Sequence, residues 1–171
     1  VWIKDLLWEA FEMIEKLQES KGGLIGVASG FRTLDRMTTG FQKGDLIIVA
    51  GRPAMGKTSW VLNVAQNAAI DHKVPVALFS LEMSKEQLVQ RLLCSEARVD
   101  SNRLRTGSLS SSDHQRVGTA GAKLNTAPIW IDDSPGATVL EMRAKARRLK
   151  AEAGIRLLVI DYLQLMPSTD R

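Results

Sequence analysis

Apolar and polar positions along this chain follow two rhythms. Residues 5–20 carry Leu6, Ala10, Met13 or Ile14, and Leu17 on one stripe, with Glu9, Glu12, Glu15, Lys16 and Glu19 largely outside it, which predicts an amphipathic helix. Lys21-Gly22-Gly23 ends it, and residues 22–30, with glycine at four positions and little periodicity, read as a flexible linker. Residues 31–37 read as a short helical turn, and Gly40-Phe41-Gln42-Lys43-Gly44-Asp45 as a glycine-bounded turn. Four short apolar runs of strand composition then follow: Leu46-Ile47-Ile48-Val49-Ala50, Val76-Ala77-Leu78-Phe79, Ile129-Trp130-Ile131 and Leu157-Leu158-Val159-Ile160.

Helical spacing separates these runs. Trp60, Val61, Val64, Ala65 and Ala68 mark a helix over residues 58–71. The capping box Ser84-Lys85-Glu86-Gln87 opens another, carrying Leu88, Val89, Leu92, Leu93 and Ala97. Residues 100–112 are polar, with Arg103, Arg105 and Gly107, and read as a connector before a helix over about 113–124. Thr138-Val139-Leu140-Glu141 is a further capping box, continued by the stripe Val139, Met142, Ala146, Leu149 and Ala153. Nearly all-apolar strands alternating with helices predict an α/β fold, a mainly parallel sheet with helices on both faces. Ligands in such sheets bind at the carboxyl ends of the strands.

That rule gathers the candidate chemistry. Gly51-Arg52-Pro53-Ala54-Met55-Gly56-Lys57-Thr58 matches the phosphate-binding pattern G-x-x-x-x-G-K-[ST] at every fixed position, between an apolar run and a helix. The loop of residues 51–59, Gly51 through Thr58 and Ser59, is expected to cradle the phosphates of a nucleoside triphosphate with the backbone N–H groups of its non-proline residues. Lys57 would add a point charge, and the Thr58 hydroxyl a ligand for Mg²⁺. Hydrolysis needs a second carboxylate at the metal and a base for the attacking water. Asp161, delivered by four consecutive aliphatic residues, is the candidate for the metal, and Asp132 competes with it. Glu82, just past the second run, is a candidate base; from position alone it reads more readily as the N-terminal acid of the following helix, stabilised by the macrodipole.

Composition narrows the class without choosing the function. The chain has 171 residues, 44% hydrophobic and 25% charged, which suits one globular domain. No apolar run approaches the ~18 residues of a membrane span, and the start lacks a signal-peptide order, so a cytoplasmic protein without membrane partners is expected. Cys94 is the only cysteine, which excludes an internal disulfide and a cysteine-built zinc cage. His72 and His114 lie apart among polar residues and are assigned no role. The net charge of +4 favours polyanionic partners only mildly. Arg143, Lys145, Arg147, Arg148 and Lys150 give one helix a basic face, either solvated or in contact with nucleic acid.

In its motifs the chain resembles bacterial replicative DNA helicases of the DnaB family. The resemblance rests on the phosphate loop, Phe79-Ser80-Leu81-Glu82-Met83, Ile131-Asp132-Asp133-Ser134, the basic Arg143-Ala144-Lys145-Ala146-Arg147-Arg148, and Asp161-Tyr162-Leu163-Gln164-Leu165-Met166, in that order. It implies a RecA-like P-loop NTPase core over residues 31–171, preceded by a linker helix (residues 1–21) that docks on a neighbouring subunit and by the glycine-rich linker 22–30. It implies ATP and Mg²⁺ as cofactors, and a hexameric ring that translocates on single-stranded DNA, with primase and a helicase loader as further partners. By the same resemblance Lys57 and Thr58 bind phosphate and metal, Glu82 is the catalytic base, Asp161 is the acidic metal residue, and Gln164 links γ-phosphate sensing to the DNA-binding loops. The family continues beyond the position of Arg171 with those loops and a basic finger that completes the neighbour's site. A fragment with weak turnover of its own is therefore expected. The alternatives are a recombinase-like filament ATPase, a P-loop kinase for a small molecule, and a nucleotide-gated assembly module without turnover.

Overall fold

The computed structural model describes residues 2–19 and 24–165, so the helix-ending Lys21-Gly22-Gly23 and the motif's last residue, Met166, lie outside the described part. The chain divides into two compact units, Val1–Ile48 and Val49–Arg171. In the first, helix α1 spans Ile3–Glu19. Ile3, Leu6, Leu7, Phe11 and Ile14 are all exposed on it, an apolar face broader than the expected stripe; the side chains of Met13 and Leu17 lie outside the described part. From Ile25 the segment expected as a linker is tied to residues 39–41. The Ile25 and Gly26 N–H groups donate to the Thr39 carbonyl oxygen, and Val27 and Phe41 exchange backbone bonds of 2.9 and 2.8 Å. Gly26 is required there, because a Cβ on it would sit 2.2 Å from the Phe41 carbonyl oxygen. The Ser29 N–H and hydroxyl then donate to the Asp35 carboxylate at 2.8 and 2.7 Å, tying the segment to the short helix α2, Arg32–Thr38.

The second unit is a three-stranded parallel sheet with helices on both faces. Its strands are β1 (Val76–Ser80), β2 (Ile129–Asp132) and β3 (Leu157–Asp161), in the order β2-β1-β3. The register pairs Phe79 with Asp132 on one side of β1 and Ser80 with Asp161 on the other, so the three strands end together at their carboxyl edge. β1 is the central strand, and all five of its residues are buried.

Alternation along β1 sends its side chains to two helical layers. Ala77 and Phe79 pack with Met142, Ala146 and Leu149 of helix α7, Val139–Ala153. Helix α3, Lys57–Ile70, packs on β1 and β3 from the face that takes Val76 and Leu78, burying Leu62, Ala65, Ala68 and Ala69. Helix α4 (Lys85–Ala97) lies against α3, and against helix α6 (Ser111–Asn125) through Ala97, Val99, Leu93, Ala120 and Val117.

Two expectations need correction. The run Leu46-Ile47-Ile48-Val49-Ala50, expected as the strand feeding the phosphate loop, forms no strand; Leu46 and Ile48 are 82% and 68% exposed. An apolar run records a demand for burial, whereas a strand exists only where a neighbour supplies the hydrogen-bond ladder. The stretch read as connector contains a helix, α5, Ser101–Arg105, started by the Asp100 carboxylate, which accepts from the Asn102 and Arg103 N–H groups at 2.8 and 3.2 Å.

Candidate nucleotide site

The phosphate-loop residues turn directly into α3. The Met55 N–H donates to the Arg52 carbonyl oxygen at 3.2 Å, Ala54 takes a left-handed φ of 62°, and Gly56, at φ 84°, is the N-cap of the helix. A glycine suits that left-handed cap because it has no Cβ to strain. No side chain caps α3. The first-turn N–H groups of any helix lack intrahelical acceptors, so at Lys57, Thr58 and Ser59 they present a positive edge suited to an anion. The Lys57 ammonium lies 5.6 Å from the centre of the Tyr162 ring, which places the loop's cation beside the residue that follows β3.

Asp161 ends β3 and is 6% exposed. Its carbonyl oxygen accepts from the Leu81 N–H at 2.8 Å, while its carboxylate Oδ2 is buried with no hydrogen-bond partner. A buried carboxylate oxygen is costly to leave unmatched, so Oδ2 is an acceptor waiting for a cation or a water. Among the described residues no cluster of three or more His, Cys, Asp or Glu could form a metal cage. One carboxylate, one hydroxyl and substrate phosphates is instead the donor set Mg²⁺ usually takes, and Asp161 with Thr58 fits it.

Asp132, the competing carboxylate, is engaged elsewhere. Its Oδ2 lies 2.5 Å from the Lys145 ammonium, and its Oδ1 accepts from the Ser134 N–H at 3.0 Å. Burial pushes this carboxyl up, but the bonds from Lys145 and Ser134 outweigh it and hold the group below the usual carboxylate range. Lys145 also donates to the Ser134 hydroxyl, so one residue of the basic face on α7 is occupied by the end of β2. Arg143, Arg147, Arg148 and Lys150 on that face are exposed.

Glu82 lies two residues past the end of β1, exposed, in a turn closed by Ser80. Gln164 sits exposed in a single 3₁₀ turn, Leu163–Leu165, directly after the β3 end. The fold thus gathers Lys57, Asp161 and the Glu82 turn at the carboxyl edge, and sets Asp132 on the far side of β1. Sequence reading assigned no role to Ser80, Tyr162 or Asp133. The one available signal was a serine closing an otherwise apolar strand. His72 and His114 are exposed, and Cys94 is buried, which pushes its thiol up.

A glycine loop capping a helix against a parallel sheet, with a buried carboxylate at the end of the neighbouring strand, is the architecture of a RecA-like P-loop ATPase domain. The chain belongs to the DnaB-like helicase C-terminal domain family, which it matches over residues 26–171. It is 50% identical over 169 residues to the replicative DNA helicase DnaC of Bacillus subtilis, covering 99% of this chain and 37% of that protein. Replicative DNA helicase DnaB of Geobacillus stearothermophilus is 49% identical with the same coverage. A solved ATPase domain of G40P superimposes with a TM-score of 0.89 at 31% identity, over 96% of this chain and 59% of that one. A DnaB-like replicative helicase, solved in a study of its interactions with primase, does so at 0.85 and 32%, over 100% and 42%. The chain spans little more than a third of the length of those two curated relatives. Family membership implies use of a nucleotide with a metal ion. No described helix is long and apolar enough to cross a membrane.

Proposed function

We propose that this chain is the ATP-hydrolysing motor segment of a replicative DNA helicase, turning over ATP with Mg²⁺ to move along single-stranded DNA and unwind the duplex. The observation that carries it is the buried, unpartnered Asp161 carboxylate oxygen at the same sheet edge as the phosphate-loop lysine and the Glu82 turn. In this reading the loop of residues 51–59 holds the phosphates through the backbone N–H groups of its non-proline residues, and Lys57 offsets charge on the terminal phosphates. Asp161 and Thr58 would hold the metal, which would supply positive charge to offset that of the phosphates. Glu82 orients the attacking water and takes its proton. Gln164, one turn past Asp161, relays the state of the γ-phosphate toward the DNA-binding loops. The linker helix within residues 1–21 docks on a neighbouring subunit of a hexameric ring, residues 22–30 link it, and residues 31–171 contribute to the ATPase domain. Primase and a loader are the further partners, and the cytoplasm is the compartment.

The test is turnover in the full-length protein. ATP hydrolysis should rise on adding single-stranded DNA, and Glu82→Gln should lower it by roughly 100-fold or more, the usual contribution of a positioned base, while ATP still binds. Undiminished hydrolysis in Glu82→Gln would remove the base assignment. Phosphate appearing on a small molecule instead of in solution would favour a kinase.

A further inference from the structure

The turn that carries Glu82 is held far more completely than an exposed loop requires. Of the five consecutive backbone N–H groups from Leu81 to Lys85, four have acceptors drawn from three strand ends and a helix cap. Leu81 donates to the Asp161 carbonyl oxygen of β3 at 2.8 Å. Met83 donates to the Ser80 hydroxyl of β1 at 3.1 Å. Ser84 donates to Gln87 at 3.3 Å within the cap of α4, and Lys85 to the Asp133 carboxylate, just past β2, at 2.9 Å. The Ser80 hydroxyl, 2% exposed, also donates to the Met83 carbonyl oxygen at 2.7 Å, so one buried side chain closes the turn in both directions. The Lys85 ammonium adds a longer contact to Asp133 at 3.9 Å. Amid these anchors the Glu82 side chain itself stands exposed.

We propose that Ser80 and Asp133 are positioning residues for Glu82, fixing the backbone on either side of it so that its carboxylate stands at a set place beside the Asp161 end of β3. This rests on the reading of Glu82 as the base. A base must come within hydrogen-bond reach of the water it deprotonates, and a displacement of about 1 Å can cost as much as 100-fold in rate. Neither anchor belongs to the phosphate loop, so each acts on the chemical step and leaves nucleotide binding alone. Asp133 also reaches Lys85 from β2, and therefore transmits any movement of that strand end to the turn.

The experiment uses the full-length protein with oligo-dT present. Ser80→Ala and Asp133→Ala are each expected to lower the ATPase kcat about 10-fold, with KM for ATP unchanged within about 2-fold. Asp133→Asn keeps an acceptor oxygen for the Lys85 N–H and should restore most of the loss. Thermal melting of each variant shows that it is folded; Asp133, less buried than Ser80, supplies the measurement should Ser80→Ala prove unstable. In a Glu82→Gln background neither alanine change should lower the residual rate further, because changes acting through one group are not additive. Wild-type kcat in folded Ser80→Ala and Asp133→Ala, beside an inactive Glu82→Gln, overturns this proposal alone. So does a further 10-fold loss in the Glu82→Gln background, or equal losses in Asp133→Ala and Asp133→Asn. Wild-type turnover in Glu82→Gln by itself overturns the base reading and this proposal with it.

Discussion

Asp113 shows how much a single buried charge depends on its neighbours. The Ser110 N–H donates to its Oδ2 at 3.0 Å, Arg103 lies 2.8 Å from the same oxygen, and Arg116 holds Oδ1. The hydrogen bonds from Ser110 come first and the two guanidinium groups add to them; against the opposing effect of burial they lower the carboxyl to about 2. An unfolded aspartate titrates near 3.9. The stabilisation from Asp113 is therefore fully present above about pH 4 and is lost as pH falls toward 2. Melting followed by circular dichroism between pH 5 and pH 2 should show a fall in Tm that is smaller in Asp113→Asn, whose starting Tm is lower. Identical pH dependence in the two proteins would rule out this assignment. At the same scale, sequence left Asp132 and Asp161 in competition. Their partners differ: Lys145 and Ser134 occupy Asp132, while one Asp161 oxygen is buried and unpaired.

Among the elements, the helix starts were the most legible, because capping is written in adjacent residues. The boxes expected at Ser84 and Thr138 are both present; at α7 the Thr138 hydroxyl accepts from the Glu141 N–H, and Glu141 accepts from the Thr138 N–H at 2.8 Å. Thr138→Ala should destabilise the protein by about 1 kcal/mol, measured by urea unfolding with an unchanged m-value. A loss below a few tenths would show that the box contributes nothing. α6 starts with a third box, Ser110 with Asp113, inside the stretch read as connector. That box was missed because its N3 residue is Asp, outside the usual Glu or Gln pattern. The run 46–50 failed as a strand for the opposite reason: its composition was right, but pairing is not a local property.

For the whole molecule, the apolar face of α1 is the surface that calls for a partner. Ile3, Leu6, Leu7, Phe11 and Ile14 are each between 46% and 71% exposed, an unusual concentration on one helix. If this face docks on a neighbouring subunit as proposed, Leu7→Glu combined with Phe11→Glu should shift the full-length protein from a ring to smaller species by sedimentation. It should leave the melting of the ATPase unit nearly unchanged. A ring of undiminished mass would refute the docking.

Sequence by itself determined the phosphate loop, most of the helix boundaries, the strand-helix alternation and the family resemblance. Each of these is encoded in residues a few positions apart, where spacing alone carries the physics. The tertiary structure decided the strand order β2-β1-β3, the opposite sides on which Asp132 and Asp161 fall, and the pairing of Lys57 with Tyr162. It also decided the frame around Glu82, whose acceptors Asp133 and Asp161 lie about 50 and 80 residues further along the chain. Local pattern shows which residues seek burial or partners; which partner each one finds is settled by packing between elements distant in sequence.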